Sequence, residues 1–103
     1  MPMSSDDIIH HMACDISQWI CHIAPGWPYP DEPADAYTDA VCKIFGDEPT
    51  EATVMQTYRM GTPGKTLQDR LNTGLETDII TEDMANQLVR RMIVNNFGTD
   101  AVS

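Results

Sequence analysis

Five of the six histidine and cysteine residues in this chain crowd into one short stretch: His10, His11, Cys14, Cys21 and His22, with Cys42 alone downstream. Borderline and soft metals take imidazole and thiolate, and an i, i+4 pair such as His10 and Cys14 can fill two coordination positions. Asp7, His11 and Asp15 repeat that spacing on the adjacent strip. Structural zinc usually shows tight ligand pairs such as Cys-x2-Cys, and none is present. His11-x2-Cys14 is the nearest fragment, without a second half. No metal and no cofactor are therefore expected. Nucleophilic catalysis needs a Ser or Cys beside a His, with a third group orienting it. Neighbours on one helix point outward rather than converge on a substrate, and no Gly-x-Ser-x-Gly elbow occurs. The chain reads as non-enzymatic.

Gly61-Thr62-Pro63-Gly64-Lys65-Thr66 ends like a phosphate-binding loop, but the position five residues before Gly64 is Arg59 where the pattern needs glycine. A turn leading into a capped helix explains the same residues. The basic residues are six in all, and five of them (Arg59, Lys65, Arg70, Arg90, Arg91) lie beyond residue 58. Helices around the Gly61–Gly64 turn fit a loose helix-turn-helix outline. Its recognition helix would offer only Lys65 and Arg70, set against Asp69.

Sixteen carboxylates against those six bases give a net charge of −10. Binding to phosphate backbones or anionic lipid requires clustered Lys and Arg, so direct contact with nucleic acid or membrane is not expected. The charge is also segregated. Residues 1–50 hold nine carboxylates, Asp6, Asp7, Asp15, Asp31, Glu32, Asp35, Asp39, Asp47 and Glu48, and one base, Lys43. Residues 51–103 are nearly balanced. A field of one sign steers a partner of the other. Beside it, Trp27 and Tyr29 lie within Pro25-Gly26-Trp27-Pro28-Tyr29-Pro30-Asp31-Glu32-Pro33. Aromatic anchors on a proline-stiffened loop bind at low entropic cost.

These groups must be positioned by helices. Ser4 or Ser5 can cap a first helix over residues 5–23, with Asp6 and Asp7 in its first turn, where carboxylates suit the helix dipole. Ile9, Met12, Ala13, Ile16, Trp19, Ile20 and Ile23 form one apolar stripe, and Asp7, His11, Asp15, Gln18 and His22 the opposite face. Pro25-Gly26 ends it. Residues 24–34 form an extended connector. A second helix over 35–45 buries Tyr37, Ala40, Val41 and Ile44 and turns Asp35 and Asp39 outward. A third is expected over 50–60, although 53–58 is also acceptable strand. A short fourth over 66–73 opens on Thr66-Leu67-Gln68-Asp69, which resembles a capping box. A fifth over 82–97 is capped by Thr81 and stopped by Gly98.

The fifth helix is apolar around most of its circumference: Met84, Ala85, Leu88, Val89, Met92, Ile93, Val94 and Phe97. A surface helix needs a stripe only a little wider than ~100°. Either this helix is central, or Met84, Leu88, Met92 and Phe97 form a groove or homodimer face.

Hydrophobic residues make up 42% of the chain, near the globular share of roughly 45–50%, so a folded core is expected. At 103 residues it is one all-α domain, a small bundle of about four to five helices. The amino-terminal residues lack a basic, apolar signal pattern, and no run reaches the roughly 18 apolar residues of a membrane span. Cys14 and Cys21, seven apart on one helix, lie ~10 Å apart at Cα, beyond the ~7 Å disulfide limit. An odd cysteine count without evident pairing suits a reducing cytoplasm. The leading expectation is an acidic binding protein that occupies a basic surface through Asp6, Asp7, Asp15, Asp31, Glu32, Asp35 and Asp39, anchored by Trp27 and Tyr29. If that surface normally holds DNA or RNA, the protein is a nucleic-acid mimic. Size and charge then resemble the small acidic inhibitors with which phage and mobile elements block host defence. The alternative is a dimeric all-α regulator that takes a small ligand or helical partner in the apolar groove of the fifth helix.

Overall fold

The computed structural model describes residues 3–98, and its elements are all helical. Helix α1 spans Ser5–Ile23, α2 Thr38–Phe45, α3 Glu51–Arg59, α4 Pro63–Asn72 and α5 Glu82–Phe97, with a 3-10 turn at Ala34–Tyr37. This is a small five-helix bundle. No helix among the described residues is long and apolar enough to cross a membrane.

Local chemistry explains the helix starts. The Ser4 side chain accepts the amide of Asp7 at 3.1 Å, opening α1. Thr50 and Thr53 form a reciprocal box at α3: each hydroxyl accepts the other's backbone N–H, at 3.2 and 2.8 Å. That satisfies two backbone donors at the start of the nine-residue helix, and it selects helix over strand for residues 53–58. Thr81 caps α5 through the amide of Met84.

Two boundaries differ from the sequence expectation. The fourth helix begins at Pro63 rather than Thr66, because proline's fixed φ suits the first helical position and its missing N–H costs nothing there. The second element is a 3-10 turn followed by α2 rather than one helix from residue 35. Thr38 turns its hydroxyl back to the carbonyl of Asp35 at 2.9 Å, where the tighter turn gives way to α-helix.

Packing centres on α5, which lies against α4 and α1, while α2 joins α4 to α1 and carries α3. Ile8, Met12, Ile16 and Ile20 of α1 meet Val41 of α2, Leu67 of α4 and Leu88, Met92 and Ile93 of α5 in one fully buried cluster. Gly64 allows α4 to approach α5 closely, since a Cβ there would overlap the Asn86 side chain. The descent from α4 to α5 is fixed by one side chain. Buried Asn72 donates from Nδ2 to the Ile80 carbonyl and accepts the Ile80 amide at Oδ1, both at 2.9 Å. That pairing lets Ile80 sit fully buried on an otherwise irregular segment.

Candidate binding surface

The acidic residues come to the surface from three places. Asp6 and Asp7 project from the first turn of α1, beside Asp47 and Glu48 on the segment leading to α3. Ser5 ties these two segments together by donating to the Pro49 carbonyl at 2.8 Å. Asp31, Glu32 and Asp35 lie exposed on the connector and the 3-10 turn, and Asp39 lies exposed in the first turn of α2. Ser17 of α1 donates to the Glu32 carbonyl at 3.1 Å, which fixes the connector along the helix. Ser5 and Ser17, twelve residues apart, anchor these two segments about 18 Å apart along the axis of α1 and about a third of a turn apart around it.

Among the described residues only one of these carboxylates forms an ion pair: Asp39 with Arg70 of α4. Lys65–Asp69 is the other described ion pair, within one turn of α4.

Asp15 does not belong to this surface. It is 3% exposed and turns toward the end of α5, where Asn95 and Asn96 donate to its two carboxylate oxygens at 2.8 and 3.0 Å. Burial raises its pKa to about 6, against the lowering effects of the Asn96 and Asn95 hydrogen bonds and of nearby His11. Helical spacing put Asp15 with the polar face, but α5 packs over that part of α1 and encloses it. The asparagines that satisfy it sit eighty positions further along the chain.

The two aromatic residues of the connector separate. Trp27 is 7% exposed and joins the core, its indole N–H donating to the Tyr37 hydroxyl at 3.1 Å. It is therefore a support and not an exposed anchor. Tyr29 remains half-exposed and meets Trp27 edge to face, with ring centroids 5.8 Å apart. Burial pushes the Tyr37 hydroxyl above its ordinary pKa; the Trp27 bond opposes this, and the charges of Glu32 and Cys21 add to it. The connector, the 3-10 turn, α2 and α4 enclose a cleft of about 400 Å³ between Tyr29, Tyr37, Glu32, Asp39 and Arg70.

The fifth helix is central. Leu88 and Met92 are wholly buried within the chain's own core, and Met84 and Phe97 are partly buried against it. Its wide apolar circumference is used by α4 on one side and α1 on the other, so these four residues do not line an open groove.

Sequence reasoning missed the surface where α1 meets the outer side of α5. The Arg91 guanidinium lies over the Trp19 ring, 5.5 Å from its centroid, beside a second cleft of about 400 Å³ that Arg90, Gln87 and Asn95 also line. Trp19 belongs to the apolar stripe of α1 by spacing, but it is only partly buried there.

The thiols and imidazoles do not converge. Cys14 and His10 are 3.6 Å apart on the outer side of α1. Cys14, Cys21 and Cys42 are all free, and no group of three His, Cys, Asp or Glu among the described residues is arranged to hold a metal. Burial, then Asp47 and Asp39, raise the Cys42 pKa, which disfavours the nucleophilic thiolate. Gly64-Lys65-Thr66 forms the first turn of α4, with Gly64 buried against α5. Comparison with protein-family models, curated proteins and solved structures gave no match to this chain.

Proposed function

We propose that this protein is a non-enzymatic acidic binding protein that inhibits or sequesters a protein partner by occupying its basic surface. The observation that carries the reading is the set of eight carboxylates at Asp6, Asp7, Asp31, Glu32, Asp35, Asp39, Asp47 and Glu48, all solvent-facing, with one ion pair among them. Removing Asp15 from the set leaves its character intact. A surface of one exposed sign would suit a partner whose basic surface normally holds nucleic acid. A small inhibitor of a host system, encoded by a phage or mobile element and acting in the cytoplasm where its thiols stay reduced, fits these properties.

The test begins with capture of the partner from the parent cell and measurement of its affinity against salt. Affinity is expected to fall steeply between about 50 and 200 mM salt. Duplex DNA should compete for the same partner. The triple reversal Asp31→Lys, Glu32→Lys, Asp35→Lys should abolish binding while the helical fold persists, since all three side chains are exposed. Salt-independent binding that survives the reversal would overturn the proposal. Asp39 is left out because its reversal would also break the link to Arg70.

A further inference from the structure

The cleft beside Tyr29 combines two kinds of group that recognise the same chemistry. Its walls are aromatic, from Trp27, Tyr29 and Tyr37, and its charged rim is Glu32, Asp39 and Arg70. We propose that this cleft is a pocket for a partner's arginine side chain, and that Arg70 is the intramolecular guanidinium it displaces; this rests on the acidic-binder reading above.

Four observations support it. The pocket already holds the chemistry in question, because the Arg70 guanidinium reaches across from α4 to pair with Asp39. That pair is loosely held: its side chains are 41% and 54% exposed, and ion pairs so exposed contribute little, so exchange for another guanidinium is cheap. The aromatic wall is fixed before binding. Trp27 is locked to Tyr37 by its indole N–H and supports the Tyr29 ring from the edge, which leaves Tyr29 half-exposed for a cation to stack on. Finally, Glu32 has no ion-pair partner among the described residues, while its backbone is anchored to Ser17. A guanidinium entering the cleft can therefore stack on Tyr29 and bind Glu32, then take Asp39 as Arg70 swings into solvent. A lysine ammonium matches this site less well, since it is a strongly hydrated point charge that neither stacks as a plane nor forks across a carboxylate.

The experiment titrates the intact protein with N-acetylated hexa-arginine and hexa-lysine peptides at low salt, following Tyr29 and the Trp27 indole N–H by NMR. Hexa-arginine is expected to bind about two- to fivefold more tightly. Tyr29→Ala, a change at an exposed side chain, should erase that preference. Arg70→Gln should strengthen hexa-arginine binding by about two- to fivefold, the range an exposed ion pair spans. Arg59→Gln, an equal change of net charge at an exposed position near the end of α3, should do less. Equal affinity for the two peptides, a preference that survives Tyr29→Ala, or equal effects of the two arginine changes would each overturn the pocket. If both peptides bind alike, and the triple reversal of Asp31, Glu32 and Asp35 abolishes that binding, the pocket fails while the acidic-binder reading stands. If neither peptide binds, the pocket fails, and the captured partner's salt dependence judges the wider reading separately.

Discussion

A buried carboxylate is costly unless its charge is satisfied, and Asp15 receives only neutral donors from Asn95 and Asn96. Its folded pKa of about 6 exceeds the ordinary 3.8, so between these values the folded state binds more protons than the unfolded one. Stability therefore falls as pH rises through that window, and the loss is complete above about 6. At ~1.4 kcal/mol per pH unit the interval is worth about 3 kcal/mol. Asp15→Asn never ionises: its Oδ1 accepts from Asn96, and its Nδ2 donates to Asn95 once that amide turns its oxygen inward. Measured by urea unfolding, the variant is expected to gain on the wild type progressively from pH 4 to 7. A difference that stays constant across that range would contradict the assignment.

Amphipathic spacing told where each helix turns inward, but not how many neighbours it has. In α2, Tyr37 precedes the helix in the 3-10 turn, yet it is buried with Ala40, Val41 and Ile44 as the apolar spacing implied. In α5, spacing left two outcomes open, a central helix or a helix shared with a second copy. The enclosure of Leu88 and Met92 by α1 and α4 accounts for the apolar circumference within one chain. Leu88→Ala should therefore create an internal cavity and cost about 2–5 kcal/mol. Its effect is expected in the unfolding midpoint, with the sedimentation coefficient of the folded protein unchanged. A shift in sedimentation without lost stability would place Leu88 at an interface.

Across the whole molecule, a charge of −10 acts against the compact state, because folding brings carboxylates together that the unfolded chain keeps apart. Few of them are neutralised, since the described ion pairs are Lys65–Asp69 and Arg70–Asp39 alone. Salt shortens the Debye length from about 30 Å at 0.01 M to about 10 Å at 0.1 M, and so relieves that repulsion. The melting temperature measured by calorimetry should rise over this range. The same salt is expected to weaken partner binding. Stability and affinity moving in opposite directions would mark the acidic surface as functional charge carried at a cost to the fold.

The sequence by itself determined the helical class, the apolar faces of α1, α2 and α5, the cap at Thr81, the choice of Ser4 or Ser5 at the start of α1, and the segregation of charge into the first fifty residues. All of these are local properties, set by periodicity, backbone capping and composition within a few turns. Tertiary structure alone decided which members of those patterns are available. It buried Asp15 under α5, withdrew Trp27 into the core while leaving Tyr29 outside, filled the surface of Leu88 and Met92, and carried Arg70 across to Asp39. Each of those outcomes depends on residues distant in sequence, such as Asn95 and Asn96 for Asp15, which helical spacing cannot reach. A helix pattern gives the direction of a side chain, and only packing determines what stands in front of it.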